Sequence, residues 1–396
     1  MMWVLSQISL WITSCCIFFL LFISSTILAC PFCGPVKTPI SHSIMRSNEA
    51  AVGESMTLAQ ADVQGQRHQS FSLLSKIVLT STGRMLMPLD SSVDVKASVE
   101  TLFSGTALLF NLPAAGWAAI PADEMLIGYV LQAPPVKRNF LSDTNRLEWF
   151  ARWLEHSNPI ISNDAYAEYA LAPFQEVQNS ARAFDPKLVI DRLTDPALPP
   201  QRRGFYALLA GILSHTSSKQ PQKTCIDALT QALENQPSSD FQTGLDGIIA
   251  GLFIALGEKT LPLLERQKLF QSDASPINQR HLLQALRFCW EYPSDTIARK
   301  KVISITRELL TVPHLSREVI VDLSRYQDWE SCDSITKTWD TLGTENPFIR
   351  PAIIGYLLAC PLEKSSALLT ELRNKNIKIF EEARQAALMP FPAAAP

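Results

Sequence analysis

Cysteine spacing gives the sharpest chemical signal in this chain. In Cys30-Pro31-Phe32-Cys33 two thiols are separated by two residues. A C-x-x-C pair can cycle between dithiol and disulfide, supply half of a zinc site, or close a small structural disulfide. A thioredoxin-like use requires the motif after a strand and at a helix start, a context missing here. A c-type haem requires histidine after the second cysteine, and that position is Gly34. Zinc requires two further ligands; the nearest are His42 and His68, at no characteristic spacing. A disulfide, a redox pair and a metal site therefore stay open for Cys30 and Cys33.

Paired acids are the second candidate. Asp164-Ala165-Tyr166-Ala167-Glu168 sets two carboxylates at i and i+4, on one face of a helix and flanked by aromatic residues. Neighbouring carboxylates can drive their pKa values apart, but a surface or capping role is the simpler expectation. Asp164, Tyr166 and Glu168 are accordingly read as a candidate interaction surface. The six histidines are scattered, with no H-E-x-x-H and no G-x-S-x-G. Gly257-Glu258-Lys259-Thr260 is no phosphate loop, because Glu258 interrupts Gly-Lys-Thr and a helix precedes it. No catalytic residue and no cofactor is expected, and the chain reads as a non-enzyme.

The elements around these residues begin with an export segment. Residues 8–29 are apolar or hydroxylic throughout, and the first charged side chain is Lys37. Burial of such a run is favourable by roughly 0.8 kcal/mol per methylene, and about 20 apolar residues can span a bilayer. Residues 1–29 are thus expected to be a cleaved export signal or a retained anchor, although the usual positive n-region is missing. Ile27-Leu28-Ala29-Cys30 resembles the lipobox of bacterial lipoproteins, with Leu28 in place of the usual small residue. That resemblance implies a lipid on Cys30, which would deprive Cys33 of its partner. In every case the remainder is expected in the periplasm or cell envelope, with the membrane reached through the N-terminal segment or the lipid.

Composition and periodicity set the fold class. Apolar residues make up 47% and charged residues 18%, ample for a large core. A net charge of −3 is too small to imply nucleic-acid binding. Residues 30–120 carry short β-branched and apolar runs, Phe71–Leu79, Val93–Phe103 and Thr106–Leu112, between turn signals at Ser81-Thr82-Gly83, Pro88 and Ser104-Gly105. Residues 121–389 change to helical periodicity, as in Leu147, Phe150, Ala151 and Leu154, or Ile161, Ala165, Tyr169 and Ala172. Breaks at Asn158-Pro159, Asp195-Pro196, Asp240, Ser275-Pro276, Pro313 and Asn346-Pro347 lie 33 to 45 residues apart. A period of about 40 with a break inside each helix pair is the mark of HEAT-like repeats. The expectation is an α+β protein: a small β-rich, OB-like domain followed by an α-solenoid of helical hairpins. Gly244, Gly247 and Gly251 are expected to let helices approach closely. The apolar stretch around them is short for a membrane span. Cys225, Cys289, Cys332 and Cys360 read as small buried apolar residues, and 390–396, all alanine and proline after Pro390 and Phe391, as a disordered tail.

The export segment ending at Cys30-Pro31-Phe32-Cys33, the β-rich stretch and the helical region together resemble a family of secreted planctomycete proteins of unknown function. The residues that carry this are Trp153-Leu154-Glu155-His156, Asn163-Asp164-Ala165-Tyr166-Ala167-Glu168, Gly244-Leu245-Asp246-Gly247 and Gln284-Ala285-Leu286-Arg287-Phe288. The resemblance implies export and this architecture, and adds no catalytic residue. The N-terminal part is also similar, more distantly, to netrin-like and metalloproteinase-inhibitor OB barrels, which begin at a processed cysteine. Those start C-x-C and use several disulfides, whereas this chain has no cysteine between Cys33 and Cys225. An exported or anchored interaction scaffold with a protein partner is the leading expectation, and a redox or metal-binding role for Cys30 and Cys33 the alternative.

Overall fold

The structure, a computed structural model, describes residues 37–56, 60–61, 67–80, 83–97, 103–136, 144–216, 219–235, 244–271 and 274–389. The expected export segment (residues 1–29), Cys30, Cys33 and residues 390–396 lie outside them. The protein is α+β: an antiparallel sheet near the N-terminus followed by helices. It divides into two compact units, residues 1–183 and 184–396, and the change from strand to helix at Pro121 falls inside the first.

The first unit opens with helix α1 (Ile40–Arg46) and the strands β1 (Glu49–Ser55), β2 (Gln60–Ala61), β3 (Arg67–Leu79), β4 (Arg84–Ala97), β5 (Thr106–Leu112) and β6 (Gly116–Pro121). The sheet order is β2-β3-β1-β5-β6, with β4 also paired to β3, and every ladder is antiparallel. The sheet curls until β4 and β6, at opposite ends of the ladder, lie close together. Period-2 alternation then gives the strands an inner face. Ala51, Phe71, Leu73, Val95, Ala107 and Leu109 form its core, with Leu89, Val93, Phe103, Trp117 and Ala119 packed against them. Leu108 and Phe110 are buried on the opposite face of β5, the strand against which α1 packs.

Two sequence expectations shift here. Between β3 and β4 the Thr80 amide donates to the Gly83 carbonyl at 2.8 Å, Ser81 and Thr82 lying outside the described residues, but Pro88 is no turn. It lies within β4 opposite Ser75, where the register slips between Leu73 and Ser75. A residue without an N–H is tolerated at such an irregularity. The strand expected over Val93–Phe103 instead begins at Arg84 and is paired along its length to β3.

Helices α2 (Glu124–Gln132), α3 (Thr144–Ala151), α4 (Pro159–Leu171) and α5 (Phe174–Ser180) complete the first unit. Their starts follow local rules. The Asp123 side chain accepts the Leu126 amide, and Asn158 caps α4 with Pro159 in its first turn.

The second unit is helical, and among its described residues the only β pairing is an isolated bridge between Ser294 and Ile297. Its helices are α6 (Pro186–Thr194), α7 (Pro200–Thr216), α8 (Lys219–Glu234), α9 (Leu245–Leu256), α10 (Leu261–Arg266), α11 (Pro276–Glu291), α12 (Arg299–Glu308), α13 (Ser316–Arg325), α14 (Cys332–Lys337), α15 (Leu342–Glu345), α16 (Ile349–Ala359), α17 (Glu363–Lys375) and α18 (Ile377–Leu388). Helix α7 packs on α9, α9 on α11, α13 on α16, and α16 on α18. Side chains join α11 to α13. Arg287 donates through Nε to Asp322 Oδ2 at 2.6 Å and through Nη2 to Glu318 Oε2 at 3.0 Å, and the Trp290 and Tyr326 rings stack at 4.2 Å.

The α7–α9 contact is made by absent side chains. A Cβ on Gly247 would stand 2.3 Å from the Gly204 Cα, and one on Gly251 would stand 2.4 Å from the Ala207 carbonyl oxygen. Gly257 ends α9 with φ +58, where a Cβ would sit 1.9 Å from the Thr296 carbonyl oxygen. From Leu245 the helix runs on through a tight turn into α10. Those 22 residues are, by length and composition, long and apolar enough to cross a membrane, more than the sequence reading allowed. Two thirds of the apolar window (67%) is buried within the protein, as in a core helix.

Candidate functional site

Helix α4 is buried almost all round: Ile161, Ser162 and every residue from Asp164 to Ala170 are inside. Its i,i+4 spacing sets Asp164 and Glu168 one turn apart, facing α1. Pro39, at the α1 N-cap, has no side-chain acceptor for the orphan amides of the first turn. Asp164 fills that role from 124 positions along the chain: its Oδ1 accepts the Ile40 amide at 2.6 Å. Its Oδ2 accepts the Tyr129 hydroxyl at 2.7 Å. Burial pushes the Asp164 carboxyl up to about 6, with the bonds from Ile40 and Tyr129 pulling the other way.

Glu168 is bound as fully. Its Oε1 accepts the Ser41 hydroxyl and lies 2.6 Å from Arg146 Nη2, and its Oε2 lies 3.2 Å from His42 Nε2. Burial alone would raise this carboxyl. The His42 hydrogen bond and the Arg146 charge outweigh it, holding Glu168 below the usual carboxylate range. Arg146 also donates to the Ser41 hydroxyl at 2.9 Å and lies over the Phe150 ring.

An aromatic wall and a second arginine enclose the cluster. The Tyr129 ring sits 5.3 Å from Trp149, 5.2 Å from Trp153 and 6.2 Å from Phe150, centroid to centroid. Burial, with Asp164 second, drives the Tyr129 phenol far above its ordinary value, so it stays a hydroxyl donor. Arg84, the first residue of β4, donates Nη1 to the Val130 and Ala133 carbonyls at 2.9 and 2.8 Å. There a cation meets the negative end of the α2 dipole. Burial lowers the Arg84 pKa, with Arg146 as the next cause. Two guanidinium groups thus balance two carboxylates.

Asp164, Tyr166 and Glu168 are not an interaction surface: they are only 7%, 3% and 1% exposed. The physical reason for the two acids is that α1, α2 and α3 bring donors to them, and a carboxylate so provided can stay inside. A carboxyl titrating near neutrality could act as an acid or base if one oxygen could reach a substrate proton. Here both oxygens of each carboxylate are engaged by this chain's own donors. What the arrangement does is fasten α1 to α2, α3 and α4.

Sequence reasoning missed Tyr129, Arg146, Arg84 and Ser41. It singled out His42 only as a metal candidate beside His68. His42 belongs to the carboxylate cluster, whereas His68 is a β3 residue opposite Gln60 and Lys96. No group of three or more metal-ligating side chains occurs among the described residues. The one available signal was the acid pair itself on an otherwise apolar helix face, which demands partners. No family model, curated protein or solved structure matches this chain.

Proposed function

We propose that the protein is an exported or membrane-anchored, non-enzymatic scaffold that presents its helical part to a protein partner. The observation that carries this reading is the succession of packings in the second unit. Helices α7, α9, α11, α13, α16 and α18 each rest on the next, with α8, α12 and α17 beside them. A hairpin that cannot hide its own apolar stripe shares burial with its neighbours, and such arrays build long surfaces from rigid units. That favours a HEAT-like α-solenoid over a closed bundle. Fastenings between the helices add rigidity. Arg307 forks onto Asp328 and also reaches Glu330 at 2.9 Å, and the Tyr356 hydroxyl donates to the Asp328 carbonyl. For the sheet, five long strands curled until the end strands approach favour an OB-like, partly open barrel. Export through residues 1–29, with the membrane reached there or through a lipid on Cys30, completes the proposal, as does kinship with the secreted planctomycete family.

Chemical crosslinking of the full chain in its native envelope, read by mass spectrometry, tests the scaffold reading. The expected result is repeated crosslinks from residues 186–388 to one partner protein. Crosslinks only to the chain itself, together with zinc or a reactive thiol pair at Cys30 and Cys33, would overturn it in favour of the metal or redox alternative.

A further inference from the structure

We propose that Cys332 and Cys360 are a disulfide-forming pair, closed by thiol–disulfide exchange with a small-molecule or protein disulfide. Both are free thiols, buried at 0% and 6% exposure, and their sulfurs lie 3.3 Å apart although 28 residues separate them in sequence. Cys332 begins α14 and Cys360 ends α16 as its C-cap. The backbone on both sides is fixed: α14 packs against α16, Ser365 donates to the Cys360 carbonyl at 3.1 Å and Thr336 to the Cys332 carbonyl at 2.7 Å. A disulfide requires the sulfurs to close to about 2.05 Å, a movement of little more than 1 Å. Cys225 and Cys289, the other described cysteines, are paired neither with each other nor with these two. Small buried apolar residues explain Cys225 and Cys289. They do not explain two thiols in contact.

The chemistry balances. Cys360, the more exposed residue of the two at 6% against 0%, loses its thiol proton and attacks one sulfur of the oxidant, expelling the other as a thiolate. The Cys332 thiol then loses its proton and attacks the Cys360 sulfur of that mixed disulfide, releasing the second half of the oxidant. One S–S bond forms in the protein and one is lost from the oxidant. Two electrons pass to the oxidant, which leaves as two thiols carrying the two protons. Burial, with the neighbouring Cys360 thiol second, holds the Cys332 thiol up at about 11. This sulfur is therefore little ionised and poorly placed to react with outside reagents, while its position 3.3 Å from the Cys360 sulfur is what lets it resolve an intermediate formed there. The closed bond would clip α14 to α16 across a loop of 28 residues, and the oxidising compartment expected of an exported chain would sustain it.

The test uses the full chain as purified, equilibrated with oxidised glutathione, denatured, alkylated and digested with trypsin without reduction. The expected product links the peptide 326–337, which carries Cys332, to 338–364, which carries Cys360, with the mass of two hydrogens lost. Cys225 and Cys289 should be alkylated. Oxidation should raise the melting temperature by roughly 5–10 °C, and Cys332→Ser and Cys360→Ala should each abolish the rise. Recovery of both peptides alkylated at excess oxidant, or as separate glutathione adducts, would overturn the proposal. The peptide map is read on the unmutated protein, so poor folding of a variant leaves it decisive. The scaffold reading does not enter it.

Discussion

Gly247→Ala should destabilise the helical unit even though alanine is the better helix former. Replacing glycine within a helix normally gains about 1 kcal/mol. At position 247 the new Cβ would meet the Gly204 Cα at 2.3 Å and its carbonyl oxygen at 2.4 Å. Both are backbone atoms, so no rotamer change relieves the clash, and α7 and α9 must separate by more than about 1 Å to restore ordinary contact. The same separation loosens Gly251 from Ala207 and Gly211 from Gly251, the other close approaches along this pair. Overpacking of this kind costs about 3 kcal/mol at the upper end of its usual range. The net loss should be about 2 kcal/mol, lowering the melting temperature by roughly 4–8 °C for a unit of this size. Gly355 is the matched control: it lies within α16, and a Cβ there meets nothing within 4 Å. Gly355→Ala should therefore stabilise the protein by about 0.5–1 kcal/mol. Thermal unfolding followed by helical circular dichroism reads both. If the two substitutions shift the midpoint in the same direction, close backbone packing is not what Gly247 provides.

The buried cluster supports two more predictions. Glu168→Gln leaves Arg146 without its counter-charge inside the first unit and should cost about 3–5 kcal/mol. The paired change Glu168→Leu with Arg146→Met should cost less, and urea unfolding read by tryptophan fluorescence would contradict the reasoning if the pair were the worse variant. For Asp164 the folded carboxyl titrates at about 6 against 3.8 ordinarily, so the native state keeps the proton to higher pH than the unfolded chain does. Its contribution is full below pH 3.8 and is lost as pH rises through about 6, on the order of 3 kcal/mol in all. Asp164→Asn has no such titration. The stability difference between the two proteins should thus move in the variant's favour from about pH 4 to pH 7, and a pH-independent difference would sink the assignment.

Local rules were legible in the residues. Asn158-Pro159 starts α4, Ser275-Pro276 starts α11, and the Asn346 side chain accepts the Phe348 amide just before α16, because caps and proline act within a few positions. The apolar stripe of Leu147, Phe150 and Ala151 falls within α3, and that of Ile161, Ala165 and Tyr169 within α4. The strand pattern was partly readable: β5 matches its expected bounds, while β4 was misjudged because Pro88 signals a turn locally and a register slip only against β3.

Sequence by itself determined that Asp164 and Glu168 share a helix face and that Gly247 and Gly251 lack side chains one turn apart, and it read Cys332 and Cys360 as small buried apolar residues. Only the tertiary structure decided what those features meet. The carboxylates find Ile40, Ser41 and His42, 124 to 127 positions away; the glycines find Gly204 and Ala207; and the two sulfurs find each other. The physical reason is one of range. Helix periodicity and capping are fixed by hydrogen bonds spanning three or four residues. The partners of a buried charge, a bare backbone or a thiol are chosen by whichever distant segment the folded chain presses against it.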